Sequence, residues 1–248
     1  MSDKSAIEWT DATWNPVTGC DRVSPGCANC YALDLAARLK KMGAPAYQND
    51  GDPRTSGPGF ALTLHEGRLD QPLRWTRPRR IFVNSMSDLF HPAVPSWFIR
   101  RVWRTMDRAP QHTFQILTKR PERMRAWVAA NNEVTVPTLP NVWLGTSIEN
   151  DRWTVRANHL RETPAAVRFL SCEPLLGPLP SLELTGIVWV IVGGESGPNH
   201  RPIQAEWVRD IRDRCVAAGV SFLFKQWGGR TPKSGGRELD ERTWDEYP

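Results

Sequence analysis

Cys20, Cys27 and Cys30 fall within eleven residues, spaced C-x6-C-x2-C, in a chain of 248 residues whose only other cysteines are Cys172 and Cys215. Thiolates gathered by a loop and a helix start are a soft-metal arrangement, suited to zinc or an iron–sulfur cluster. A structural zinc ion is normally closed off by four ligands, whereas three cysteines on a cluster leave one iron open for substrate or cofactor. Two further readings stand beside the cluster. One is structural zinc completed by a distant ligand such as His91, and the other is three unliganded thiols. Gly19, Pro25 and Gly26 punctuate the loop, and the spacing predicts a helix from Cys30 to Met42, stopped by Gly43.

The elements that must position these thiols follow from the apolar pattern. Residues 7–18 have short extended character, and Pro16, which cannot donate to a sheet, keeps any strand there short or bent. An irregular insert over residues 44–80 begins with the Pro, Gly, Asp and Asn of Ala44–Gly59, continues through an apolar run at Phe60–Leu64, and ends with a predicted helix over Glu66–Trp75. Apolar strands then recur at Ile81–Val83, Phe114–Leu117, Val142–Gly145, Val167–Leu170, Val188–Val192 and Val220–Phe224. Helices are predicted over Ser96–Arg108, Pro121–Asn131, Asp151–Glu162 and Ala205–Ala218. Six such strands, with one before the cysteines, predict an α/β fold with mostly parallel strands: a single domain over 1–248, shaped as a full or partial (β/α) barrel. A doubly wound sheet is the other arrangement open to this pattern. The tail, about residues 228–248, is expected over the mouth as a lid or against the barrel rim.

Each strand turns polar just past its C-terminal end, and Asp88, Lys119, Glu149, Glu173, Glu195 and Lys225 recur at matching places. In a parallel barrel those ends converge on one mouth, where active sites are built. Loop solvation also accounts for polar residues there. The chain is basic, net +5, which admits a polyanion such as DNA or RNA as partner. Its twelve Trp against three Tyr serve packing, with some available to stack on bases. No apolar run approaches the ~18 residues of a membrane span, and Met1–Ser5 has no apolar leader core. A cytoplasmic location without a membrane partner is expected, in keeping with clustered thiols in a reducing compartment.

Trp14–Cys20, Cys27–Tyr31, Phe82–Phe90, Leu117–Pro121 and Gly193–Gly197 together resemble the phage-associated three-cysteine-motif proteins of phages and bacterial genomes. That family is in turn similar to radical S-adenosylmethionine (SAM) enzymes. The likeness runs from about Ile7 to Pro248. It implies a barrel of the radical-SAM type, a [4Fe-4S] cluster on Cys20, Cys27 and Cys30, and SAM chelating the open iron. Electrons from an external donor would cleave SAM to methionine and a 5′-deoxyadenosyl radical that abstracts a substrate hydrogen. A nucleic-acid substrate fits the phage setting and the basic balance. A small molecule or peptide is a second substrate class, and a non-catalytic, zinc-stabilised nucleic-acid-binding barrel is the alternative from another class. The oligomeric state is not encoded in any feature of the sequence.

Such enzymes place a methionine-binding Gly-Gly-Glu after the second strand, where this chain has Asn84-Ser85-Met86-Ser87-Asp88. Ser85, Ser87 and Asp88, with Asn84, are therefore assigned to the SAM amino group, helix capping being their other role. Thr146, Ser147, Glu149 and Asn150 are placed to reach ribose hydroxyls, with Asn150 equally suited to cap a helix. Glu173, Gly194 and Glu195 complete the cofactor-side candidates. Lys119 and Lys225 bring positive charge for a SAM carboxylate or substrate phosphate. Cys172 is the candidate hydrogen-atom donor or additional ligand, or else a small packing residue.

Overall fold

The computed structural model describes residues 5–131 and 138–248; of the stretch Met1–Ser5 read for an apolar leader core, Met1–Lys4 lies outside them. Seven parallel strands form one sheet in sequence order: β1 (Ala12–Trp14), β4 (Arg80–Val83), β5 (Thr113–Thr118), β6 (Val142–Ser147), β7 (Val167–Cys172), β8 (Trp189–Gly193) and β9 (Ser221–Gln226). A separate pair, β2 (Val17–Thr18) with β3 (Thr63–Leu64), is antiparallel. Helices α1 (Tyr31–Lys41), α2 (Ser96–Asp107), α3 (Pro121–Asn131), α4 (Val155–Arg161) and α5 (Ala205–Ala218) connect the strands. The sheet curls into a half-barrel, and β1 and β9 remain as its two edges.

Side-chain parity explains the curl. Strand residues facing the helices build the main core, with Ile81, Phe114, Leu144, Leu170, Val190 and Phe222 all under 2 % exposed. Residues of the opposite parity form a second, aromatic cluster of Phe82, Phe169, Trp189, Ile191 and Leu223 around Trp9. Trp9 lies 4.6 Å from Phe82 on β4 and 6.3 Å from Trp189 on β8, ring centre to ring centre. Those strands are four apart, about 19 Å in a flat sheet. One indole bridges them because the concave face folds in on itself and excludes water from a floor of aromatic rings.

The remaining segments depart from expectation in two places. Glu66–Trp75 is not a helix but two single 3₁₀ turns, Glu66–Arg68 and Pro72–Arg74. Gly67 and Pro72 break any longer helical run. The tail does not form a lid. Gly229 bridges Ser196 at the mouth, then β10 (Glu238–Leu239) and β11 (Arg242–Thr243) turn the chain back down β9. There Asp245 pairs with Leu223, and Tyr247 packs on Trp189 at 5.3 Å with the Arg80 guanidinium 4.2 Å from its ring. The Arg77–Arg80 stretch thus belongs to the floor, at the N-terminal end of β4, far from the cysteine loop. No helix among the described residues is long and apolar enough to cross a membrane.

Candidate functional site

The cysteine loop is seated on the C-terminal ends of the strands. Its short 3₁₀ turn, Pro25–Cys27, rests directly on Glu149, just past β6. A Cβ on Gly26 would lie 2.5 Å from Glu149 Cγ, so only glycine permits this approach. Ser24 Oγ donates to Glu149 Oε1 at 2.5 Å, while Lys119 and Arg156 pair with the same carboxylate at 3.1 and 3.0 Å. On the other side, Asn29 Nδ2 donates to Glu195 Oε2 at 2.9 Å, and Arg201 bridges Glu195 to the Pro25 carbonyl. The insert closes the back: Arg22 N–H donates to Thr55 O at 2.7 Å, and Thr55 Oγ1 to Asp21 Oδ1 at 2.6 Å.

Cys20, Cys27 and Cys30 line one cavity of about 160 Å³, with Asn84, Ser85, Ser87, Asp88, Lys119 and Ser147 on its walls. Burial pushes the Cys20 thiol up to about 12, Asp88 adding to the effect and Arg120 opposing it. Burial also pushes Cys30 up. Arg120 Nη1 sits 3.5 Å from Cys20 Sγ and 2.9 Å from Asp88 Oδ2, placing a fixed cation beside the sulfur. A cluster or metal would have to displace these thiol protons, and Arg120 lowers that cost. Among the described residues, no group of three or more His, Cys, Asp or Glu is drawn together around a single ion point. His91, the candidate fourth zinc ligand, has both ring nitrogens engaged: Nε2 with Asp21 Oδ2 at 2.8 Å, and Nδ1 accepting from Ala93 N–H at 3.2 Å. His91 is therefore not free to complete a Cys3His ion with the three thiols.

The cavity sorts the expected site residues. Asn84 is placed as a ligand donor: it is 2 % exposed, adopts φ +64, and its Nδ2 has no partner. Such an orphaned donor in a cavity wall is a cost that a bound acceptor would relieve. Ser85 and Ser87 line the cavity too, but their hydroxyls are held by Asn15 and by the Val17 carbonyl. Asp88 does not suit an incoming amino group. Thr118 Oγ1 and Phe90 N–H occupy its Oδ1, and Lys119 N–H and Arg120 its Oδ2, which fills the four lone-pair sites of a carboxylate. Ser147 faces the cavity, whereas Thr146 points toward the helices, its hydroxyl on Thr118 O. Glu149 is sealed beneath the loop, and Asn150 stands at the start of the 3₁₀ turn Asp151–Trp153 without a side-chain capping bond, its buried Oδ1 unpartnered. Glu195 and Gly194 anchor loops: a Cβ on Gly194 would lie 2.0 Å from the Trp227 carbonyl oxygen.

Lys225 and Glu173 pair at 2.9 Å, with Ser171 Oγ donating to Glu173, on the concave face but outside the cavity lining. Cys172 is a correction. Ser171 takes the inward position on β7, so its neighbour points outward into the core, fully buried near Cys215. It packs as a small apolar residue and has no route to the mouth.

Residues 4–248 match a family whose description is "Protein of unknown function (DUF5131)". The chain belongs to that family. Neither a curated protein nor a solved structure matches it. Within this family member, the sequence pattern missed the side chains that hold the thiols in place. Asn15, whose Oδ1 accepts from Met86 N–H at 3.0 Å, ties the first strand to the β4 turn. Tyr31 reaches across the mouth to donate to Ser85 O at 2.5 Å. The Lys119-Arg120 pair after β5 was the one available signal for Arg120; Arg156 and Arg201 gave none, since each lies in an ordinary helical or loop context.

Proposed function

We propose that the chain is an iron–sulfur enzyme of the radical SAM type acting on nucleic acid. The observation that carries this reading is the convergence of Cys20, Cys27 and Cys30 on one cavity at the polar mouth of a parallel half-barrel. Parallel barrels build their sites there, and the resemblance of the motifs supplies the chemistry. Cys20, Cys27 and Cys30 would hold a [4Fe-4S] cluster, which with SAM and an external electron donor would supply one-electron chemistry at this mouth.

The chain's own residues would bind, orient and dry the site. The unpartnered Asn84 amide suits a SAM carboxylate, with Ser85 and Ser147 completing a polar wall. Lys119, 19 % exposed and already paired with Glu149, holds positive charge at the cavity edge for a second anionic group. Arg120 and Asp88 fix the direction of the Cys20 sulfur. The Lys225–Glu173 pair faces the concave interior, where it can move a proton to or from substrate. Trp9, Phe82 and Trp189 close the interior from below and keep out water that would quench a reactive species.

Anaerobic purification with iron, sulfide and zinc analysis tests the reading. About four irons and four sulfides per chain are expected, lost in Cys27→Ala, with dithionite-dependent SAM cleavage following. Stoichiometric zinc that persists through anaerobic reconstitution with iron and sulfide would overturn it in favour of a zinc-stabilised binding barrel.

A further inference from the structure

A groove of about 610 Å³ lies between α3 and α4, and it shares Lys119 and Arg120 with the wall of the cysteine cavity. Its lining holds four cations and one histidine, Lys119, Arg120, Arg123, Arg156 and His159, against a single carboxylate, Glu122. Two buried carboxylates behind it, Glu149 and Asp88, pair with Lys119, Arg156 and Arg120. Arg123 forms no salt bridge among the described residues: its guanidinium donates only to the carbonyls of His91 and Val94. Burial lowers its pKa, with the Asp88 charge opposing and the Arg120 charge adding to the shift.

Two buried polar atoms in the same lining have no partner, Trp153 Nε1 and His159 Nδ1. Each orphan costs folding free energy that a ligand's oxygen or N–H can relieve. The guanidiniums of Arg156 and Arg152 lie 4.1 and 5.6 Å from the Trp153 ring centre, an aromatic–cation cluster of the kind that nucleic-acid bases and phosphates approach. A guanidinium fork without a carboxylate partner, as on Arg123, matches phosphate oxygens.

We infer that the α3–α4 groove binds the phosphodiester backbone of a single-stranded nucleic acid and leads it to the cysteine cavity. This rests on the nucleic-acid part of the proposed function and gives that substrate a path. The backbone would run along Arg123 and the exposed Arg152, and the nucleotide beyond them would enter past Lys119 and Arg120.

The test is fluorescence anisotropy with labelled twelve-nucleotide oligo-dT and oligo-U over a series of KCl concentrations. It uses the full chain purified anaerobically, without added SAM, so binding is scored independently of whether the metal is iron or zinc. Affinity should fall steeply with salt. Arg123→Gln should weaken binding about three- to tenfold and reduce the salt slope by about one, and Arg152→Gln, at an exposed position, should weaken it without unfolding risk. Glu122→Lys should tighten it. Absence of wild-type binding at low salt overturns the inference. So does binding that all three variants leave unchanged, in which case nucleic acid remains a ligand but this groove is not its path.

Discussion

Glu149 carries more of the site's architecture than any other single side chain, and replacing it by glutamine isolates its charge. The carboxylate is fully buried and holds Lys119, Arg156 and Ser24 at 3.1, 3.0 and 2.5 Å. Glu149→Gln keeps the shape and one acceptor but leaves Arg156, 4 % exposed, without a counter-charge. Breaking a buried pair in this way costs about 3–5 kcal/mol, and the retained amide oxygen favours the lower end. At ~2–4 °C per kcal/mol for a chain of this size, Tm of the iron-free protein should fall by roughly 6–12 °C. Adding Arg156→Met should restore part of the loss by removing the stranded cation. The pH dependence gives a second readout. Burial pushes the Glu149 carboxyl up, but Lys119, Arg156 and Ser24 outweigh it and set the value below the ordinary carboxylate range. A depressed pKa stabilises the fold above the unfolded value of about 4.3 and loses that contribution as pH falls through the native value. The gap between wild type and variant, followed by calorimetry, should therefore be full at pH 7 and close below about pH 4. A variant within ~1 kcal/mol of wild type at pH 7, or a gap that does not change with pH, would refute the reasoning.

Gly26→Ala should leave the sheet intact but lift the cysteine loop from Glu149, so iron content after reconstitution should drop while Tm falls far less than in Glu149→Gln. Cys172→Ala removes only core packing, costing about 1–2 kcal/mol, and should leave iron content and SAM cleavage at wild-type levels; loss of cleavage at normal iron would return Cys172 to the chemistry. Burial pushes the Cys215 thiol up to about 12, so the iron-free fold should keep its stability below about pH 8.5 and lose it as pH rises. Cys215→Ala should flatten that alkaline decline in urea titrations. Tyr247→Ala exposes the aromatic floor, and should lower Tm and increase dye binding to apolar surface without changing thiol labelling at the mouth.

The alternation of strands and helices was legible because buried parallel strands are continuous apolar runs, and α3 and α5 fall where periodicity places them. The mouth position of the cysteine loop was legible for the same reason. Facing was not. Cys172 and Ser171 are neighbours at the end of one strand, and a single step of parity decides which sees the cavity. Asp88 looked like a ligand because nothing in the sequence reveals that Thr118 and Arg120, thirty residues on, take up its lone pairs. Lys119–Glu149 joins the ends of adjacent β5 and β6, and Lys225–Glu173 reaches from β9 past β8 to the end of β7, so both depend on a stagger that only the folded register supplies. The tail, expected as a lid or against the rim, starts at the mouth with Gly229 on Ser196 and then runs back along β9, a path that its apolar residues Trp244 and Tyr247 do not reveal in sequence.

The sheet ends at β1 and β9, and among the described residues no ladder joins those two strands, so its curvature has to be held by something else. At the base, the segment ending in Tyr247 spans the gap, its hydroxyl on Glu8 O and its ring between Trp189 and Arg80. At the rim, Asn29 and Arg201 fasten the loop after β1 to the turn after β8 through Glu195. The half-barrel is thus a bracelet with two clasps, one aromatic and half-buried, one ionic around the buried Glu195 carboxylate. The ionic clasp is made of side-chain and loop bonds outside the sheet, so the aperture of the mouth can widen while the backbone ladder beneath it stays whole.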